Sequence, residues 1–168
     1  ADGTSRDAVT VTTAELAGKI DFARSSSGPS SARADGVLTY IPFAIDAMTY
    51  AVAPNSKIPA DIPLGTSGNT TEVSLMNIYK GNITRVITNN GTFVKLVGDD
   101  YVLEAGEASN TINAYVPQAG SGTRSFWIGQ VGITDTQIAA GTTAAKDVFT
   151  SGGATKSVQE HDGSAVAN

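Results

Sequence analysis

Cysteine is absent from the 168 residues. Disulfide staples, thiolate metal centres and a cysteine nucleophile are thereby excluded. Histidine occurs once, at His161, which is too little for a zinc hydrolase that also lacks thiolates. Charge is sparse: 16% of residues are Asp, Glu, Lys or Arg, with a net charge of −5. No basic run exists, so the chain offers no electrostatic footprint for nucleic acid. The longest apolar run, from Ile41 to Val52, contains Asp46 and is too short to span a bilayer. The opening Ala1-Asp2-Gly3-Thr4 is polar and shows no signal peptide; a mature exported chain would look the same after cleavage.

What the chain does have is apolar residues (40%) and glycine (18 residues), which suit a loop-rich α/β or β-rich soluble domain, with a length of one domain or one and a fraction. The organisation expected is a partial first lobe over 1–36, crossover strands over 37–53 and a second lobe over 54–168 with a Gly-rich tail. In the first part, Ala8–Thr12 and Lys19–Arg24 read as short strands. Val37–Val52 reads as strand, kink at Pro42 and second strand. Pro54 to Asn69 is a loop. Thr71–Lys80 fits a helix, with Ser74 capping its main part, Gly81 stopping it in the left-handed region and Lys80 near its C-terminal end. Thr92–Leu103 is strand-like, broken at Gly98-Asp99-Asp100, and Ile112–Pro117 is a further strand. A glycine turn at 120–122 then leads into a helix over 123–131. On that helix Phe126 and Trp127 are expected to be at least partly buried.

The chemistry concentrates at the strand–turn–helix Gln118-Ala119-Gly120-Ser121-Gly122-Thr123-Arg124. The first N–H groups of a helix lack internal acceptors. Gly120 and Gly122 permit close backbone approach, Ser121 and Thr123 add hydroxyls, and Arg124 adds a fixed cation. Together these would hold a tetrahedral oxyanion. The same spacing also fits an ordinary Ser-capped helix after a turn. A second segment, Asp21-Phe22-Ala23-Arg24-Ser25-Ser26, could present Ser25 and Ser26 to the same anion; alone, it reads as a surface loop.

Three segments carry a family resemblance. Val116-Pro117-Gln118-Ala119-Gly120-Ser121-Gly122-Thr123-Arg124-Ser125-Phe126 resembles the phosphate-contacting turn of the phosphate-binding proteins that serve ABC importers. Leu75–Thr84 resembles that family's "lxxIYxGkItxW" helix and turn, and Asp21–Ser26 its "DFxxSD" strand end. The segments stand in family order over about residues 19–130. The resemblance implies a periplasmic-binding-protein-like lobe with a mixed, mainly parallel sheet flanked by helices, plus part of a second lobe. The apolar strands near Val37–Val52 and Ile112–Val116 would form its centre. It implies a non-enzymatic, extracytoplasmic bacterial protein without cofactor or metal, binding inorganic phosphate or a similar oxyanion through Ser25, Ser26, Gly120, Ser121, Gly122, Thr123 and Arg124. An ABC permease would be its membrane partner. The sequence departs from the family where an Asp is usual at Ser26, where Pro117 and Ala119 stand near a usual Arg and acidic residue, and where Val86 replaces a tryptophan.

Family members are roughly twice as long, so the chain reads as a fragment or one part of a split protein. The strand ending at Arg24-Ser25 would then pair with a second polypeptide or a second copy. Two rivals remain beside this reading. An enzyme would need His161, with Asp162 and Ser121, in a triad whose spacing fits no nucleophile elbow. A structural or interaction protein could retain the fold after losing its ligand. Asp99-Asp100 reads as a turn rather than a calcium loop. The sequons at Asn69, Asn82 and Asn90 read as chance in a Thr-rich chain.

Overall fold

A computed structural model describes residues 47–160, together with Thr12 and Ala14. The chain divides into two units, residues 1–46 and 47–168, and the account below concerns the second. The expected strands Ala8–Thr12 and Lys19–Arg24, the first half of the apolar stretch 37–53, and His161 lie outside the described residues.

Residues 47–73 form no helix or strand, so the second strand expected within 48–52 does not form. Met48, Tyr50 and Ile58 instead pack as partly buried side chains against the core. The Tyr50 hydroxyl accepts the N–H of Ile62 at 2.7 Å, which holds this extended segment to the buried Ile62.

Helix α1, Leu75–Lys80, begins and ends where its punctuation predicts. Ser74 is the N-cap and accepts the Asn77 N–H, and Gly81 closes the helix at φ 88°. Left-handed backbone of this kind favours glycine. Asn77 is buried and satisfied: its Nδ2 donates to the carbonyls of Asn69 and Glu72, and its Oδ1 accepts from Asn82. The loop before α1 is thereby tied to the turn after it.

Strands β1 (Arg85–Asn89), β2 (Thr92–Val97) and β3 (Glu107–Thr111) form one antiparallel sheet in the order β2-β1-β3. Asn90 and Gly91 join β1 to β2 with φ values of 48° and 76°, the paired positive φ that a two-residue hairpin turn requires. The central strand buries Val86 and Ile87. Gly98-Asp99-Asp100 interrupts the chain after β2 as expected, Asp99 and Asp100 forming a turn, but the strand does not resume over Tyr101–Leu103; Arg85 binds the Gly98 and Tyr101 carbonyls.

Strand β4 is shorter than its sequence suggests, covering Ala114–Tyr115. It leads through the glycine turn into α2, Gly122–Val131, and then α3, Asp135–Ala139, before β5, Ala145–Lys146, returns parallel to β4. Parallel neighbours need a crossover connection, and α2 and α3 supply it. The hairpin β6 (Val148–Ser151) and β7 (Ala154–Ser157) follows in a tail whose weak periodicity hid it.

The structure mixes helices and strands, as expected, but the mainly parallel sheet is not what forms. Among the described residues β1–β2, β1–β3 and β6–β7 pair antiparallel and only β4–β5 pairs parallel. For β1–β2 the reason is local: a two-residue Asn-Gly turn can connect only antiparallel neighbours. The core gathers Leu75, Ile78 and Tyr79 of α1, Val86 of β1, Val116, and Trp127, Ile128 and Val131 of α2. Tyr79 and Trp127 meet edge to face at 5.8 Å. Trp127 is buried as expected, whereas Phe126, one residue earlier on α2, is 56% exposed. Successive residues on a helix point about 100° apart, so one apolar face cannot cover both.

Candidate functional site: the start of helix α2

Gly120 adopts φ 84°, and this bend brings the chain from β4 into α2. Its backbone has open space around it. Ser121 caps the helix, its Oγ accepting the Arg124 N–H at 3.0 Å. The N–H groups of Gly122 and Thr123, the first two residues of α2, have no acceptor among the described residues. Gly122 and Thr123 are exposed, while Ser121 is 5% and Arg124 3% exposed. Gly120, Ser121, Gly122, Thr123 and Arg124 thus converge on one helix start; Ser25 and Ser26 lie outside the described residues.

Arg124 turns inward. Its Nε donates to Asp135 Oδ1 at 2.7 Å, and its Nη2 lies 2.7 Å from the same oxygen. Its Nη1 donates to Asp147 Oδ2 at 2.7 Å and to the Pro117 carbonyl at 2.9 Å. Three of the five guanidinium N–H groups are thereby committed, and the two on Nη2 make no hydrogen bond among the described residues. Burial works against the charge, but the bonds to Asp147 and Asp135 outweigh it and hold Arg124 protonated above its ordinary range. The guanidinium therefore ties β4, α2, α3 and the β5–β6 junction together beneath the helix start.

The hydroxyl of Ser121 donates to Glu160 Oε1 at 2.7 Å. Glu160 arrives there because residues 158–160 run beside the cradle strand. The Gln118 N–H donates to the Val158 carbonyl at 2.7 Å, and the Val158 N–H donates to the Asp147 carbonyl at 2.8 Å. The Glu160 N–H also donates to Gln118 Oε1. A carboxylate of the chain itself thus lies on the hydroxyl at the positive end of α2, where an anion is favoured.

The sequence pointed to the helix start but not to Asp135, Asp147 and Glu160, the three acidic residues around it. Asp135 alone left a local trace: Thr134-Asp135-Thr136-Gln137 forms a capping box that places it in the first turn of α3. Asp147 and Glu160 are 23 and 39 residues from their partners, a separation that carries no periodic signal.

Elsewhere, an open groove of about 530 Å³ lies between the loop at Thr70–Val73 and the turn after β2. None of Gly120–Arg124 lines it. Among the described residues no cluster of His, Cys, Asp and Glu could hold a metal ion, and no helix is long and apolar enough to cross a membrane. No protein-family model, curated protein or solved structure matches the chain.

Proposed function

We propose that this chain is part of an extracytoplasmic bacterial solute-binding protein of the phosphate-binding type, without catalytic activity. It holds a tetrahedral oxyanion, inorganic phosphate foremost, at the start of α2. The observation that carries this reading is the pair of acceptor-free N–H groups at Gly122 and Thr123, at the mouth of a helix fixed from below by Arg124. The site also stands beyond the C-terminal end of β4, within a parallel crossover, the position at which open α/β sheets bind ligands. The Thr123 hydroxyl adds a third donor. A second polypeptide or a second copy would complete the first lobe, to which Ser25 and Ser26 belong. An ABC permease would receive the solute.

The decisive experiment is calorimetric titration of the chain with phosphate and with sulfate, repeated on Gly122→Pro. Proline is tolerated at the first helical position, so this variant deletes one N–H donor while preserving the helix. The Ser121 backbone, at φ −72° and ψ 131°, already suits a residue preceding proline. Wild type should bind, and Gly122→Pro should bind at least tenfold more weakly with unchanged helical circular dichroism. No binding by wild type, or equal binding by both, overturns the reading.

One observation favours a second reading, a scaffold or interaction protein that has kept the fold and lost the ligand. Arg124 faces two carboxylates, so its charge is neutralised locally rather than offered to an anion. The same titration separates the two: this reading requires no phosphate or sulfate binding at any concentration that leaves the protein folded.

A further inference from the structure

Strands β2 and β3 each pair antiparallel to β1, so they run parallel to each other on its two sides. The chain between them, residues 98–106, must cross the sheet. β2 ends opposite Arg85 and β3 begins opposite Asn89, so the crossing also runs back along the length of β1. Successive side chains of a strand point to opposite faces. Val86 and Leu96 are partners on the core face, which puts Arg85, Lys95 and Glu107 on the other. All three hold one residue of the crossing, Tyr101. Arg85 Nη2 donates to its carbonyl at 2.7 Å, Lys95 Nζ donates to its hydroxyl, and that hydroxyl donates to Glu107 Oε2 at 2.9 Å.

Glu107 is the centre of this arrangement. Its Oε2 also accepts the Glu104 N–H at 3.0 Å, and its Oε1 lies 3.3 Å from Lys95 Nζ. Its side chain is only 5% exposed. The charged and titratable groups around it are Lys95 from β2, and Tyr101 and Glu104 from the crossing. Glu104 Oε1 stands 3.2 Å from the Tyr101 hydroxyl and 3.7 Å from Lys95 Nζ. Arg85 of β1 is engaged by the Gly98 and Tyr101 carbonyls and lies 3.7 Å from Asp99. The crossing adds little apolar burial of its own, since Val102 is 81% and Leu103 44% exposed. A segment held by polar contacts that converge on one carboxylate opens more readily than the sheet it crosses.

We propose that residues 98–106 form an acid-released lid: protonation of Glu107 frees Tyr101 and Glu104, and the crossing lifts from the sheet while the core on the opposite face stays folded. Asp100, Tyr101 and Val102 line the open groove whose other side is Thr70, Thr71 and Val73, so lifting the lid removes one wall of that groove. The lid is separate from the start of α2 and does not depend on the oxyanion reading. The direction of the switch follows from the contacts. The Glu104 N–H first, then Tyr101 and Lys95, hold the Glu107 carboxyl below its ordinary 4.5. The lid is therefore shut above that value and released as pH falls through the folded one.

The test is native-state hydrogen exchange of the full chain near neutral pH and at about pH 3.5, with rates expressed as protection relative to the free peptide. In wild type the Glu104 amide should lose about tenfold or more of its protection in acid, while β1 amides and Trp127 emission stay native. Glu107→Gln, uncharged at every pH, should show the low protection at both. Tyr101→Phe keeps the ring but not the hydroxyl, and should lower protection of the Glu104 amide near neutral pH. Wild-type protection that is unchanged in acid overturns the lid. So does loss of protection in β1 together with the crossing, or a red-shifted Trp127, because the crossing would then open only with the whole unit. A Glu107→Gln variant that retains the wild-type pH dependence also overturns it. If that variant fails to fold, wild-type protection in Tyr101→Phe overturns the latch on its own.

Discussion

Arg124 Nη1 lies 2.7 Å from Asp147 Oδ2, and this one contact fixes the start of α2 to the chain between β5 and β6. The contact changes what a cation in this motif does. Its place after Ser121-Gly122-Thr123 suggested a direct ligand to an anion, yet the guanidinium is a buried strut.

Arg124→Ala should therefore act on stability before it acts on binding. Removing one partner of a buried ion pair commonly costs about 3–5 kcal/mol. Here Asp147 is 32% and Asp135 60% exposed, so water takes up part of that loss and roughly 2–3 kcal/mol is expected. Urea denaturation should show a lower midpoint with an unchanged slope. An unchanged midpoint would mean that the pairings with Asp135 and Asp147 contribute nothing measurable.

Gly65→Ala should be disruptive although the loop looks permissive. A Cβ there would stand 2.5 Å from both Cβ and Oγ of Ser74, and Gly65 holds φ 101°. Ser74 is buried and caps α1, so it cannot yield without loss of the cap. Overpacking together with the unfavourable φ should cost about 2–3 kcal/mol in chemical denaturation. Gly68→Ala, at φ 85° but with open space around it, bears only the backbone cost and should lose less.

Trp127 is the single tryptophan and is buried against Tyr79, so its fluorescence reports on the core. Emission should be blue-shifted in the native state and move to the red cooperatively with urea. Trp127→Ala should cost about 3–5 kcal/mol. Trp127→Phe should cost less, because it keeps an aromatic ring against Tyr79 and leaves a smaller cavity. Equal losses for the two variants would show that the retained ring contributes nothing to the core.

The cluster around Glu107 should make the three-stranded sheet acid-sensitive. The backbone N–H of Glu104 first, and then Tyr101 and Lys95, hold the Glu107 carboxyl below its ordinary value of 4.5. A carboxyl whose folded value is depressed stabilises the fold above its unfolded value. That contribution falls away as pH drops below 4.5 and through the folded value. Glu107→Gln should therefore flatten the pH dependence of the urea midpoint below that point. A wild-type slope retained in the variant would assign the acid sensitivity to other groups.

Much of the local structure was legible because the signals are chemical and short-range. Ser74 and Gly81 bracket α1 through capping and left-handed backbone, and the glycine turn before α2 needs only its own residues. Gly98-Asp99-Asp100 ended a strand for the same reason. The strands β1 and β3 escaped notice: Arg85–Asn89 is a short apolar run without clear alternation, and Glu107–Thr111 is polar throughout. The hairpin β6–β7 lies in a stretch of small and polar residues, where pairing is set by partners rather than by pattern.

The sequence by itself determined the punctuation: where α1 and α2 start and stop, which loop carries the glycine bend, and that Gly120, Ser121, Gly122, Thr123 and Arg124 stand together at the start of one helix. These depend on backbone preferences and hydrogen bonds within a few residues, so the chain states them directly. Only the tertiary structure decided the pairing of strands and the use made of Arg124 and Ser121. Asp135, Asp147 and Glu160 reach the helix start across 11, 23 and 39 residues. Whether Arg124 and Ser121 face solvent or a carboxylate of the same chain follows from which distant segments pack beside them. Nothing in the local pattern encodes that choice, because burial and partner geometry arise only once the whole unit has closed around its core.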